Sequence, residues 1–331
     1  MKRVLFFTAL LLMVCMVTEL ADAQNRRAGL NSAAFLKIGV GARQVAMGSA
    51  VTALYGDVDN MFWNPAGTAM RDNGFLQASF THNEWFAGLK QNALGATIDL
   101  KDIGTIGVGV MTFGVQNIPA DRDVTASEKQ TSGTYDYLDL VAQVTYSRYI
   151  TDQLSLGVTA KYISEKIDDQ LATGVAFDFG SVYHIGVLDW TVGARLNNLG
   201  SDIKFYDFAS PIPLTFSIGT ALVPISGDND RLLISVDAVK PQDGIQYYFT
   251  GAEYTLMKRV MFRAGYKWNY SSRDDGGWTY APAIQTTVEG ISLGAGFRAD
   301  FEGYGLRADY SYTKMNLVSD VHRVTIGLGL K

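Results

Sequence analysis

From residue 75 onward, apolar and polar side chains alternate along the chain with a period of two. In segment 138–148 the apolar members are Leu138, Leu140, Ala142, Val144 and Tyr146, and the polar residues among them are Asp139, Gln143, Thr145 and Ser147. Successive side chains of a β-strand point to opposite faces, so this pattern predicts a strand with one apolar and one polar face. We predict fourteen such strands, at 75–82, 90–100, 104–113, 135–148, 153–165, 172–184, 188–197, 213–222, 231–240, 245–255, 258–268, 291–300, 304–313 and 321–331.

The lengths of these segments and of their connections favour a membrane barrel over a soluble sheet. Most segments span about ten residues, close to the ~9–11 that a tilted membrane strand requires. Long connections at 114–134, 198–212 and 269–290 alternate with short ones, as in bacterial outer-membrane barrels. Tyr and Trp gather near segment ends, as the aromatic girdles of such barrels do, at Tyr135, Tyr137, Tyr149, Tyr183, Trp190, Tyr266, Trp268, Tyr270 and Tyr312.

The predicted fold class is therefore all-β. Residues 75–331 are expected to form a fourteen-stranded antiparallel transmembrane β-barrel, with lipid of a Gram-negative outer membrane around it. Its inward faces carry charges of both signs, which we expect to pair with one another or with a plug rather than to line a selective pore. The basic members are Lys161, Arg195, Arg263, Lys267, Arg298 and Arg307, and the acidic ones are Asp139, Asp178, Asp189, Asp237, Asp300 and Asp309.

The N-terminal residues 1–23 have the three parts of a secretory signal peptide. Lys2 and Arg3 precede an apolar run, and an A-x-A site ends at Ala23. We expect cleavage there, which removes Cys15, the single cysteine of the chain. The mature protein then has no disulfide and no thiolate metal site, and its net charge of −5 does not favour nucleic acid.

Residues 24–74 differ from the strands that follow, because glycines interrupt small and apolar residues and 43–55 can form a short helix. The segment ends near the turn Asn64-Pro65-Ala66-Gly67, in which Pro65 fixes its own φ and disfavours a helical Asn64. We expect this segment to be a small helical plug, or hatch, inside the barrel, with the turn as a structural motif.

Three motifs at the N-terminal end carry a family resemblance: Ala34-Phe35-Leu36-Lys37-Ile38-Gly39-Val40-Gly41-Ala42-Arg43, then Ala46-Met47-Gly48, then Trp63-Asn64-Pro65-Ala66-Gly67. They resemble the PorV/PorQ family within the broader FadL-like group of outer-membrane barrels. The C-terminal segments 292–298, 306–310 and 322–325 look like that family's last strands. The resemblance implies a fourteen-stranded barrel with an N-terminal hatch, although Lys331 stands where many such proteins have a terminal aromatic.

The resemblance implies two competing functions. PorV serves type IX secretion and delivers exported proteins to the surface, whereas FadL passes long-chain fatty acids and other hydrophobic small molecules. We expect the first, with secretion components and exported proteins as partners, and keep the second as the alternative. The loop 269–290 offers Tyr270, Arg273, Trp278 and Tyr280 as possible partner contacts, although an ordinary solvated loop has the same composition.

Catalysis is not expected. It requires a positioned base, and the three histidines are His82, His184 and His322. His82 and His322 share parity with the apolar outward face, so packing at the barrel seam explains them better than chemistry does. No His, Cys and carboxylate spacing suggests a metal site, and we expect no cofactor.

Overall fold

The computed structural model describes residues 30–69, 75–121, 132–244, 246–268, 289–315 and 318–330. Its strands are β1 (Leu76–Glu84), β2 (Lys90–Asp99), β3 (Thr105–Asp121), β4 (Ser132–Tyr149), β5 (Leu154–Ile167), β6 (Gln170–His184), β7 (Thr191–Gly200), β8 (Ile203–Phe205), β9 (Phe208–Ser210), β10 (Thr215–Ser226), β11 (Asp230–Pro241), β12 (Tyr247–Leu256), β13 (Val260–Trp268), β14 (Glu289–Asp300), β15 (Tyr304–Met315) and β16 (Val321–Leu330).

Within the described residues, fourteen of these strands form one closed antiparallel barrel, and the predicted fold class is confirmed. Each strand pairs with its neighbour in the chain, except that β7 pairs with β10 because β8 and β9 form a separate hairpin between them. The barrel closes between β1 and β16, where Phe80 lies opposite Ile326 and Thr81 opposite Thr325.

The structure differs from the predicted strand bounds at several strand ends. β3 and β4 extend well into the predicted loop 114–134. The hairpin β8–β9 lies inside the predicted connection 198–212, and its three-residue strands are too short to show alternation. The strand predicted from 188 begins at Thr191, because Leu188 and Asp189 have positive φ (56° and 47°) and form a turn.

The distribution of side chains is the reverse of that in a soluble protein. On the outward face Leu94, Val108 and Val144 are 55–56% exposed, and large apolar side chains are similarly exposed around the barrel. On the inward face of β4, Thr145 and Ser147 are fully buried. Since soluble proteins rarely expose such large contiguous apolar surfaces, this exterior needs an apolar environment.

The lumen holds the N-terminal segment. It contains α1 (Ala42–Ala46) and the 3₁₀ helices Ala34–Lys37, Val58–Phe62 and Pro65–Thr68. The helix predicted over 43–55 is shorter than expected, because Gly48 and Ser49 adopt positive φ (62° and 65°) and end it. At Gly48 the plug meets the wall so closely that a Cβ would lie 2.6 Å from the backbone nitrogen of Tyr266. Among the described residues, no helix is long and apolar enough to cross a membrane.

Candidate functional site

A network of buried charges fixes the plug to one side of the barrel wall. The plug contributes Arg43, Asp57 and Asp59, and the wall contributes Glu253, Arg263, Arg307 and Asp309. Arg307 Nη1 lies 2.5 Å from Asp57 Oδ2, and its Nη2 lies 3.0 Å from Asp59 Oδ2. Glu253 Oε2 accepts from Arg43 Nε at 2.8 Å and from Arg263 Nε at 2.6 Å. Four carboxylates and three guanidinium groups meet, so the network has one excess negative charge.

The pKa values of the two plug carboxylates in this network shift in opposite directions. Burial opposes ionisation of Asp57, but Arg307 and Arg43 outweigh that effect and hold its pKa below its usual range. Burial and the neighbouring charge of Asp57 together raise the pKa of Asp59 to about 6, against the opposing contact with Arg307. The side chain of Asp59 also accepts from Ser79 Oγ at 2.5 Å. The excess charge of the network is thus most easily neutralised at Asp59.

Most of the predicted inward charges pair, as expected. Lys161 Nζ lies 2.6 Å from Asp178, and Arg263 Nη1 lies 2.7 Å from Asp309. Asp237 accepts from the plug at Val51 N, Thr52 N and Thr52 Oγ1. The remaining members are Lys267 with Glu289, Asp189 with Arg231, Arg298 with Asp300, and Arg307 in the network above. The exceptions are Asp139, which accepts a hydrogen bond from the Tyr137 hydroxyl of its own strand, and Arg195.

A cavity of about 120 Å³ lies between the plug and the wall, away from the charge network. Its apolar and aromatic lining comes from Leu36, Ile38, Val40, Phe62, Trp63, Val239, Pro241, Tyr247 and Phe249, and its polar lining includes Ser49, Asn197, Asn198 and Thr215. Four basic residues, Lys37, Lys161, Arg195 and Lys267, complete it. No acidic residue is among the lining residues in the described part of the chain.

Arg195 differs from the other basic residues of this cavity. Its guanidinium carbon lies 5.2 Å from the centre of the Trp63 ring, within cation–π distance. The residue is 6% exposed, and its Nε has no hydrogen-bond partner in the described structure. Trp63 is held in turn, since its Nε1 donates to Val40 O at 2.8 Å. The cavity therefore presents a desolvated cation beside an aromatic face.

A bulge near the end of β7 shapes the cavity. Asn198 has a positive φ (62°), and the register between β6 and β7 shifts at this point. The bulge breaks the alternation, so that Asn197 and Asn198 are both buried and both line the cavity. Asn198 is fixed by Lys161 Nζ at 2.9 Å and by Pro213 O at 3.1 Å, and Asn197 donates to Trp63 O at 2.8 Å.

Beyond the bulge, β7 and β10 separate. Their last paired residues are Asn197 and Thr215, and residues 198–200 of β7 have no partner in β10. A second cavity of about 390 Å³ lies at this gap, lined by Leu30, Asn198, Leu199, Gly200, Asp202, Pro211, Ile212, Leu214 and Gln242. Asn198 lines both cavities, so they lie on either side of the same bulged residue.

The predicted turn motif lies in the interior, against β5 and β6. Asn64 is fully buried, its Oδ1 accepts from Ala66 N, and its Nδ2 donates to Thr52 O at 2.6 Å and to Ser181 O at 3.2 Å. Pro65 begins a 3₁₀ helix, and Gly67 O accepts from Asn60 Nδ2 at 3.1 Å. The turn thus joins plug and wall, but it lines neither cavity.

The other sequence-predicted positions do not converge on this site. Tyr270, Arg273, Trp278 and Tyr280 lie outside the described residues, as does the segment 1–23. The barrel seam pairs His82 with Val324 and His322 with Glu84, and His184 lies within 3.3 Å of the Tyr149 hydroxyl. In the described part of the chain, no cluster of three or more His, Cys, Asp or Glu could hold a metal ion.

Comparison with known proteins agrees with this architecture. The sequence model of the uncharacterised protein family UPF0164 matches residues 12–174, just under half of the 331-residue chain. No curated protein sequence matches the chain.

Several solved structures are similar over nearly their whole length. The CymD monoaromatic hydrocarbon channel has a TM-score of 0.57 at 13% identity, with 88% of this chain and 97% of that chain covered. The Pseudomonas putida toluene transporter TodX gives 0.54 at 11%, with 88% and 96% covered. The Ralstonia pickettii toluene transporter TbuX gives 0.53 at 12%, with 88% and 97% covered. The likeness is one of fold.

Proposed function

We propose that this protein is an outer-membrane conduit for hydrophobic small molecules. The observation that carries the proposal is the aromatic-lined cavity between plug and wall, which adjoins a second cavity where β7 and β10 separate. Concave, mostly apolar sites with a few placed polar groups are typical of small-molecule binding. The similar barrels named above are described as hydrocarbon channels and toluene transporters, which supports the same class of cargo.

The exterior of the barrel supports placement in a membrane. Its outward residues are apolar and exposed, whereas its inward polar residues are buried against the plug. A closed barrel satisfies the backbone hydrogen bonds of every strand internally, which a hydrocarbon environment demands. Lipid is therefore the partner that the outward face fits.

The proposed route uses the gap in the wall. A molecule arriving near residues 198–200 would meet the larger cavity first, and the inner cavity beside Trp63 and Phe249 next. The segment 201–214, which carries β8 and β9, covers this gap, and Ile203 and Ile212 anchor it by burial. The plug is buried and packed against the strands, so passage along the wall is the route that the geometry favours.

The protein-export role implied by the PorV/PorQ resemblance has no comparable support among the described residues. The residues that would carry it, Tyr270, Arg273, Trp278 and Tyr280, lie outside the described ranges. The hydrophobic conduit is therefore the function that the geometry supports best.

Uptake of radiolabelled toluene by Gram-negative cells producing the protein tests the proposal. Leu214 lines the gap cavity, and Leu214→Trp adds bulk there, so we expect a large fall in uptake. Leu222→Trp is the matched control, because Leu222 is a half-buried leucine of neighbouring β10 that lines neither cavity. Equal uptake by wild type, both variants and cells without the protein would reject the conduit.

A further inference from the structure

The inner cavity has an electrostatic character that a conduit for neutral hydrocarbons does not require. Its lining includes four basic side chains and no acidic one in the described structure. Three of the four are already paired: Lys37 with Asp243, Lys161 with Asp178, and Lys267 with Glu289. The acidic partners are not lining residues of the cavity.

Arg195 is the basic residue that lacks such a partner. Its Nε is buried without a hydrogen bond, and the ring of Trp63 lies beside its guanidinium. Asp178 and Asp237 lie near enough to interact with it electrostatically. Asp178, however, is held by Lys161 at 2.6 Å and by Asn198 N at 2.7 Å, and Asp237 accepts three hydrogen bonds from the plug.

A buried guanidinium without a hydrogen-bonded partner is costly, and a planar carboxylate is the group that matches its geometry best. The site therefore fits a ligand that brings its own negative charge. Trp63, Phe62, Tyr247 and Phe249 would surround the apolar body of that ligand.

The size of the cavity limits that apolar body. An apolar cavity of about 150 Å³ in another protein accommodates benzene, and the volume here is about 120 Å³. The inner cavity therefore has room for one small aromatic ring at most, and a long acyl chain would have to extend out of it.

We propose that the cavity is a binding subsite for a small aromatic carboxylate, with Arg195 receiving the carboxylate and the surrounding aromatic residues receiving the ring. This inference rests on the proposed function, because it names the class of molecule that binds along the same route.

Isothermal titration calorimetry of the purified, folded barrel in non-ionic detergent at neutral pH tests the subsite with benzoate. Benzamide has nearly the same shape without the charge, and benzylamine carries the opposite charge. Wild-type protein should bind benzoate about tenfold or more tightly than benzamide, as expected for a charge-assisted contact. Equal affinities for benzoate and benzamide, or tighter binding of palmitate than of benzoate, would overturn the proposal.

Variants assign the effect to Arg195. Arg195→Gln should weaken benzoate binding about tenfold or more and leave benzamide binding nearly unchanged, while Arg195→Lys should restore part of the preference. Arg323→Gln is the matched control, because Arg323 is also an inward, buried arginine with unsatisfied nitrogens but does not line the cavity. Unchanged benzoate affinity in a folded Arg195→Gln barrel would overturn the assignment. If that variant does not fold, the wild-type affinities for benzoate, benzamide and palmitate decide.

Toluene uptake separates this inference from the proposed function. Uptake without a preference for benzoate over benzamide would overturn the carboxylate subsite and leave the conduit intact. Selective benzoate binding without toluene uptake would reject the hydrocarbon conduit and leave the anion subsite standing.

Discussion

A single charge placed on the outward face of β4 tests which surface of the barrel meets lipid. Val144 is 56% exposed and lies between Val108 of β3 and Ala160 of β5. It is five residues from Tyr149, the end of β4 at the short turn to β5. Five residues at ~3.4 Å and a tilt of ~40° place it ~13 Å along the barrel axis, about half of a ~25 Å apolar band.

At that depth Val144→Arg should destabilise the folded barrel by ~2–4 kcal/mol. Leu171→Arg is the control, because Leu171 is an exposed outward residue at the far end of β6, the strand that follows β5 in the barrel. Its thirteen-residue distance from His184, the end of β6 at the short turn to β7, gives ~34 Å along the axis, beyond the apolar band, and a cost of ~0–1 kcal/mol.

Urea titrations of both variants folded into lipid vesicles measure the difference directly. Val144→Gln, in the same assay, separates the charge from the loss of the valine side chain. Equal destabilisation by Val144→Arg and Leu171→Arg would refute the assigned lipid-facing band, and with it the membrane placement of the outward face.

Two further predictions concern the plug. Arg307→Gln leaves Asp57 and Asp59 without their shared cation, so we expect ~3–5 kcal/mol of destabilisation of the folded barrel and raised conductance in planar bilayers. Arg231→Gln is the control, because Arg231 belongs to an exposed ion pair whose loss should destabilise the barrel by only ~0–1 kcal/mol. Unchanged conductance in Arg307→Gln would show that this contact does not hold the plug. Because the pKa of Asp59 is raised to about 6 from its ordinary value of 3.8, its contribution to stability is full below pH 3.8 and is lost as the pH rises through 6. Hydrogen exchange of residues 42–62 should therefore show protection falling between about pH 4 and pH 6 in wild type but not in Asp59→Asn, and parallel profiles would contradict the assignment.

The barrel was predictable because its signal is periodic and repeated. Each strand shows alternation by itself, as Val144, Thr145 and Tyr146 do, and inward or outward orientation follows from parity alone. The plug was harder, because the extent of its helix depends on Gly48 and Ser49, whose positive φ arises where the plug meets the wall.

The site could be predicted only in part. Alternation places Arg195 on the inward face, but its lack of a hydrogen-bonded partner depends on groups distant in sequence, such as Asp237 and Trp63. The sequence carries no signal for Tyr247 and Phe249, since β12 has aromatic residues on both faces and its parity shows no preference. The adjacent polar pair Asn197 and Asn198, which interrupts alternation at the end of β7, was the available signal for the bulge.

Reversible closure of the gap between β7 and β10 tests the conduit most directly. The single cysteine of the sequence is Cys15, in the predicted signal peptide, so an introduced thiol at Leu214 would be unique in the mature protein. Labelling Leu214→Cys with a bulky disulfide-forming reagent should stop toluene uptake, and reduction should restore it, while the same treatment of Leu222→Cys should have no effect. Undiminished uptake through fully labelled Leu214→Cys would contradict passage through this gap.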